Sequence, residues 1–516
     1  MLSAMTAGRR PEGGKPMSTG AAKRPTPPAA AAGEAHVAKV IGVTVAAAVG
    51  GFLFGFDSSV VNGAVDSIGS HFELNHFMKG FAVAIALLGC ALGAWFAGRL
   101  ADIWGRKKVM LLGSALFIAS SIGTGLAWSV PDLLIWRVIG GLGIGIASVI
   151  APAYIAEIAP ARYRGALGSL QQLAITMGIF VALLSDALLA DSAGSASSEL
   201  WFGIEAWRWM FMVGVIPAIV YGVLALLIPE SPRYLVGSNL DEEAARILTE
   251  VTGEPNPLER VKEIRLTLKR ESNVSIKDIR GPSFGLHPLV WVGIWIAVLQ
   301  QFVGINAIFY YSTTLWQSVG FSESESFKTS VITAVINVVM TFGAILFVDR
   351  IGRRRLLLIG SVGMFIGLVL ACAAFTQQQG SGDNITLPDT WGTVALIGAN
   401  LFVVAFAATW GPVMWVMLGE MFPNRIRGVA LGVCTGVNWL ANFTISLLFP
   451  ELNSVLGLAW IYGFFAFCAG VSYFYVHFKV PETKGMELED MDTLGDVEAA
   501  LKADKAADKA AAKGNK

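Results

Sequence analysis

Charge is scarce in this 516-residue chain. Asp, Glu, Lys and Arg make up 15% of it, with 38 basic residues against 38 acidic ones. A soluble protein carries roughly a quarter charged residues, and one with so few would expose large apolar patches to water. The zero net charge, with no C2H2 spacing and no long basic tract, excludes nucleic acid as a partner. Cysteine is equally sparse: Cys90, Cys372, Cys434 and Cys468 all stand in apolar runs. None lies at metal-ligand spacing, so they read as small core residues and neither a disulfide framework nor a metal site is expected. No Walker A motif is present. GGLGIG (Gly140–Gly145) has no strand before it and sits in an apolar run, so it is not a phosphate loop. No His pair, metal cluster or nucleophile–base set is present, so no enzyme and no cofactor are expected. The first 35 residues hold no apolar h-region with a cleavage site, which excludes a cleavable signal peptide.

What the chain has is apolar length. Hydrophobic residues make up 54% of it and the mean hydropathy is +0.60. The apolar residues fall in runs near the ~20 residues that cross ~30 Å of hydrocarbon. Twelve spans are read, at about 37–61, 77–100, 109–129, 133–157, 166–190, 207–228, 288–316, 327–348, 355–376, 391–418, 427–448 and 458–478. The expected fold is therefore an all-α membrane protein of two six-helix bundles, 37–229 and 287–480. Residues 230–286 link them through short amphipathic helices at DEEAARILTEV and LERVKEIRLTLKR. Residues 1–36 and 481–516 read as cytoplasmic tails, the first of them disordered.

Lys and Arg gather in alternate breaks: Arg106/Lys107/Lys108, Arg162/Arg164, the 230–286 linker, Arg350/Arg353/Arg354/Arg355 and Arg425/Arg427. Such loops face the cytoplasm, which places both termini there. The same breaks carry an internal repeat. DIWGRKK (Asp102–Lys108) recurs as DRIGRRR (Asp349–Arg355), and EIAPARYRG (Glu157–Gly165) as EMFPNRIRG (Glu420–Gly428). PESPR (Pro229–Arg233) has a weaker echo in PETKG (Pro481–Gly485). Two pseudo-symmetric halves of this kind are the plan of major facilitator transporters, with the binding site near mid-bilayer between them. Asp102, Arg106, Glu157 and Arg164 in one half, and Asp349, Arg353, Glu420 and Arg427 in the other, are expected to form salt bridges that close the cytoplasmic face.

Polar residues inside the spans mark a candidate site. At ~1.5 Å rise per residue, Gln300 lies about 16 Å into its span. Gln301 adjoins it, and Asn306 and Tyr310 follow at helical spacing. Asn337, Asn438 and Asn442 lie near or beyond the middle of theirs, and Gln172 in the lower half of its own. Amides in apolar helices must face protein or water. Together they make a lining of donors and acceptors suited to a polar, uncharged ligand, with Trp415 as an aromatic face. Gly141 and Gly145 form a small-xxx-small pair that lets helices approach. The carboxylate in GGFLFGFDSSVVNGAV (Gly50–Val65) is the costliest group of all. Asp57 and Arg137 lie at compatible depth and are read as a proton-coupling pair, since a partner distance that changes between states changes proton affinity between them.

RVIGGLGIGIASVIAPAYIAEIAPARYRGALGSLQQLAI, PESPRYL, LQQFVGINAIFYYS, DRIGRRRLL, GPVMWVMLGEMFPNRIRGVALG and VPETKG resemble the sugar porter branch of the major facilitator superfamily, over about residues 37–485. The resemblance implies a sugar substrate, with Gln172, Gln300, Gln301, Asn306, Asn337, Trp415 and Asn438 at positions that contact it. Proton-coupled members carry Asp and Arg at the positions of Asp57 and Arg137, whereas passive members typically carry Asn in place of the Asp. The expectation is a proton-coupled importer of glucose or xylose, with galactose or myo-inositol also fitting. A passive uniporter is the alternative, and a sugar receptor a more distant one. A monomer in a bacterial inner membrane is expected, with a monosaccharide, the proton and the lipid bilayer as its partners.

Overall fold

The computed structural model describes residues 29–159, 164–271, 279–281, 285–379, 386–422 and 426–484; residues 1–28 and 485–516, most of both expected tails, lie outside it. Among the described residues twelve helices are long and apolar enough to cross a membrane. Spans 1 to 6 are Ala38–His71, His76–Trp104, Arg106–Gly125, Val130–Ile158, Leu170–Ala193 and Ala206–Leu227. Spans 7 to 12 are Pro288–Tyr310, Glu323–Val348, Arg353–Phe375, Thr390–Glu420, Arg427–Leu456 and Leu458–Lys479.

Local chemistry sets many of these ends. Asn75 caps span 2 by accepting from the Met78 amide at 2.8 Å, and Ser322 with Glu325 forms a full capping box on span 8. Four boundaries depart from expectation by more than a few residues, one of them the end of span 11, which runs past residue 448 to Leu456. The first helix begins at Ala29, inside the stretch expected to be disordered, because its first turn is four alanines, the best helix formers. It also runs past residue 61 to His71. Asn62, Asp66 and Ser67 interrupt the apolar run there, but they face protein rather than lipid: all three hydrogen-bond to other segments. The last departure is at Pro481–Lys484, which is not tail but packs onto the bundle, with Val480 and Thr483 buried. Span 7 is also broken, into Pro288–Phe302 and Ile305–Tyr310, at Gly304 with φ +88°. A further short helix, Ser312–Gln317, follows it. Span 10 breaks at Thr409, just ahead of Pro412.

The repeat seen in sequence reappears as packing. Span 1 packs on 5, 2 on 4, 3 on 4 and 3 on 6; the same pairs recur six spans later, 7 on 11, 8 on 10, 9 on 10 and 9 on 12. The two sets meet where span 2 lies on 11 and span 5 on 8. Between them the linker forms the helices Pro232–Gly237, Asp241–Ile247 and Pro257–Glu271, with Leu235, Ala244, Ile247 and Val261 turned inward. A two-residue hairpin, Glu199–Trp201 with Ile204–Glu205, and an isolated bridge between Gln379 and Thr386 interrupt the otherwise helical fold among the described residues; the hairpin's turn residues Phe202 and Gly203 both have positive φ, the type I′ requirement.

Spans 2 and 4 touch backbone to backbone. An added Cβ at Gly141 would strike the Ala86 carbonyl, and one at Gly145 the Cys90 carbonyl. Gly145→Leu is therefore expected to force these spans apart at ~1–3 kcal/mol, the usual cost of overpacking. It should lower the thermal-unfolding midpoint in detergent. Gly432→Ala, where an added Cβ meets nothing within 4 Å, should not. Equal midpoints for the two variants would refute the close packing.

Candidate functional site

At the basic end of the bundle the repeated motifs build the same cluster twice. Arg106 opens span 3 and reaches Glu157, at the end of span 4, at 2.8 Å, and Asp102 at 3.3 Å. Arg353 opens span 9 and reaches Glu420, at the end of span 10, at 2.8 and 3.0 Å. Each pair lies within one half. These two salt bridges tie helices of the same half together. The side chains of Arg164 and Asp349 lie outside the described residues, and Arg427 donates to the Phe422 carbonyl at 3.2 Å.

Sequence reasoning missed half of each cluster. Glu230 accepts from the amides of Arg106 and Lys107 at 2.9 and 3.2 Å, capping the N-terminus of span 3 with a carboxylate. Glu482 does the same for Arg353 and Arg354 at 2.9 and 3.2 Å. The hydroxyls beside them complete the match: Ser231 donates to Glu157, and Thr483 to Glu420 at 2.6 Å. The signal was present in the echo of PES in PET, which preserves a carboxylate followed by a hydroxyl.

At the opposite end, hydrogen bonds join the halves. The Thr313 amide donates to Asn62 Oδ1 at 3.0 Å and its hydroxyl to the Asn62 carbonyl at 2.7 Å. Thr314 donates to Asp66 at 2.7 Å, and the Ala196 amide to Glu323 at 2.8 Å.

Between the ends, the breaks in spans 7 and 10 gather the amides. Gln300 donates to the Trp410 carbonyl at 3.1 Å, next to the break at Thr409. Asn438 donates to Gln300 Oε1 at 2.9 Å, Gln301 to Asn438 Oδ1 at 3.1 Å, and Asn306 to Gln301 Oε1 at 2.6 Å. Asn442 donates to the Tyr310 hydroxyl at 3.2 Å. Four of the expected residues thus form one chain of amides, and two more a pair beside it. Amides that satisfy one another can exchange those bonds for sugar hydroxyls without stranding a buried polar group. Trp415 is 37% exposed. Asn337, buried on span 8, and Gln172, half-buried on span 5, make no hydrogen bond among the described residues and stand apart from this chain. Trp439, beside Asn438, meets Phe54 of span 1 edge-on at 5.2 Å, closing a contact across the halves.

Asp57 and Arg137 are brought together as expected. Arg137 Nη1 lies 3.1 and 3.2 Å from the two carboxylate oxygens, with the residues 6% and 3% exposed. One nitrogen serves both oxygens, and Arg137 Nε has no partner. This is not the two-pronged geometry that makes such pairs strongest. Because span 1 is longer than expected, Asp57 stands near its middle rather than towards one end. The pair lines a small cavity with Phe54, Ser58, Cys90 and Tyr310. Tyr310 belongs to the other half and hydrogen-bonds Asn442, so the ion pair and the amides share a wall.

Comparison with known proteins finds transporters. Residues 43–494 match the family model described as sugar (and other) transporter. The chain is 51% identical over 458 residues to a glucose transport protein of Synechocystis, covering 89% of this chain and 98% of that one. It is 35% identical to the D-xylose-proton symporter of Escherichia coli, covering 89% and 96%. The inward-open structure of the E. coli xylose transporter XylE superposes with a TM-score of 0.75 at 33% identity, over 88% of this chain and 99% of that one. XylE bound to 6-bromo-6-deoxy-D-glucose superposes at 0.74 and 33%, over 89% and 100%.

The repeated caps predict matched losses. Glu230→Ala and Glu482→Ala each leave the first amides of a helix without an acceptor, at a cost of about 1 kcal/mol. Both should lower the unfolding midpoint by similar amounts. A change confined to one of the two would deny the equivalence of the clusters.

Proposed function

The chain belongs to the sugar transporter family of the major facilitator superfamily, and we propose that it imports a monosaccharide, glucose or xylose, together with a proton. It is a multi-pass bacterial membrane protein related to transporters rather than enzymes. The observation that carries the proton-coupled reading is the buried Asp57–Arg137 pair, which shares its cavity wall with Tyr310 of the opposite half. Relatives named for glucose transport and for xylose–proton symport support the two parts of the reading. Galactose and myo-inositol fit the same lining of amides and one Trp.

The mechanism follows from the geometry. Gln300, Gln301, Asn306 and Asn438 hold the sugar by trading their mutual hydrogen bonds for its hydroxyls, with Trp415 against its C–H face and Gln172 and Asn337 reaching it from spans 5 and 8. Asn442 and Tyr310 link that site to the ion pair. A proton taken up by Asp57 cancels its attraction to Arg137 and frees the guanidinium. Movement of Tyr310 with the second half changes the walls of the Asp57 cavity, so proton affinity differs between states, as coupling requires. One proton crossing 100 mV supplies ~2.3 kcal/mol, enough for roughly fifty-fold accumulation. The paired clusters Asp102/Arg106/Glu157 and Arg353/Glu420 keep each half rigid while the halves rock. The basic end faces the cytoplasm of a bacterial inner membrane, both termini lie on that side, and one chain holds a complete site, so the protein works as a monomer. The contacts of Thr313 and Thr314 with Asn62 and Asp66 close the outer end in this conformation.

Sugar-driven change of internal pH in reconstituted vesicles tests the coupling. Wild-type protein should carry protons inward with one of glucose, xylose, galactose or inositol. Asp57→Asn should lose that movement and still exchange sugar. Sugar entry without proton movement in both would make the protein a uniporter. In the same vesicles Gln301→Ala should raise the apparent KM for sugar about tenfold or more, the loss of one to two hydrogen bonds. An unchanged KM would remove the amide chain from the sugar site.

A further inference from the structure

A second carboxylate stands inside a span and has no role in the mechanism above. Asp186 of span 5 is 0% exposed, its oxygens meet no side-chain donor, and the Gly63 backbone amide lies against them. Span 5 runs along a stripe of small residues on span 1, where an added Cβ at Gly63 would lie 2.8 Å from both Cβ and Oδ2 of Asp186. Ser59 lies one turn before Gly63 on the same face and is also fully buried with its hydroxyl unpartnered. Asn62, the residue before Gly63, gives its side-chain oxygen to the Thr313 amide of the other half, while its Nδ2 is buried with no partner. Two acceptor oxygens with no side-chain donor and two unmet donors, the Ser59 hydroxyl and Asn62 Nδ2, therefore surround this one turn of span 1. Leaving such groups unpaired in hydrocarbon is costly, and most of all for a charge.

The other charged groups on the elements packed against span 5 are engaged elsewhere or exposed. Asp57 pairs with Arg137, Asp66 with Thr314 and Lys79, and Arg208 with Glu205. Glu323 accepts from the Ala196 amide, and Lys328 is exposed.

We infer that Asp186 is a second proton-binding carboxylate of the carrier, and that Asn62 alternates between Thr313 when the outer end is closed and Asp186 when it opens. The inference rests on the proton-symport reading and adds a residue to it. As a neutral acid, Asp186 tolerates its surroundings as they stand. As an anion it needs a side-chain donor, and the amide of Asn62, next to Gly63 in the chain, becomes free to turn only when Thr313 moves away with the second half. Protonation therefore favours the closed outer end and deprotonation the open one, which is the sense that symport into the cell demands.

The test is a distance across the outer end, measured between spin labels at Ser70→Cys and Ser324→Cys, both exposed and one in each half, with the full chain in lipid vesicles. The background is Asp57→Asn, so that Asp57 contributes nothing. In that background the short, closed distance should gain population as the pH is lowered. Adding Asp186→Asn should abolish the pH response and hold the closed distance throughout. If that variant does not fold, Asn62→Ala, which leaves the carboxylate in place, should flatten the same response. A response unchanged by either substitution, or absent before either is made, overturns the inference. Sugar-driven proton uptake by the otherwise wild-type protein is read alongside. If it is absent, the symport reading falls and takes this inference with it; if it is present while the Asp186→Asn response is unchanged, only the inference falls.

Discussion

Hydrocarbon offers no partner to the polar groups at bilayer depth in this protein, so any partner must come from the protein itself. The fold follows from that constraint more closely than from the apolar residues themselves. The amides of spans 7 and 11 bond to one another and to a carbonyl beside the break in span 10. The guanidinium of Arg137, buried on span 4, is met by the Asp57 carboxylate of span 1. Broken helices occur where side chains can take over the backbone's bonds, and it is there that a polar ligand can compete for those same side chains.

The same constraint acts differently at the basic end. There the carboxylates of Glu230 and Glu482 cap helix N-termini, and Arg106 and Arg353 fasten neighbouring helices. Each of these bonds closes within one half. Hydrogen bonds between the halves are found at the other end, through Thr313 and Thr314. A molecule with halves stiffened internally and joined by a few short bonds suits rocking of one half on the other, since breaking two or three hydrogen bonds costs little beside disrupting a packed bundle.

Much of this was legible in the residues. Span number, the linker helices and the repeat follow from hydropathy and from long motifs, and the Asp57–Arg137 pairing follows from the rarity of charge within spans. Gly141 and Gly145 were read as a close-approach pair and are one, against Ala86 and Cys90. The ends of span 1 were not legible. A hydropathy reading treats Asn62 and Asp66 as facing lipid, and only the partners they meet across the bundle show that they do not. The amides were legible as a set but not as a chain of bonds: Asn337 and Gln172 look the same in sequence as Asn438, yet the structure leaves them outside the network. Asp186 should have been noticed by the rule that singled out Asp57, an ionisable residue in a span.

The sequence by itself determined the two-half helical membrane architecture, because an apolar run of given length in lipid has little choice but a helix and because the motifs of one half recur in the other. It also determined which residue types were available for a polar site. Only the tertiary structure decided which of them meet. Whether Arg106 reaches Glu157, whether Asn62 faces Thr313 or lipid, and whether Gln301 touches Asn438 depend on helix rotation and on breaks such as that at Gly304. Those are set by the packing of all twelve spans together, which no single stretch of sequence encodes.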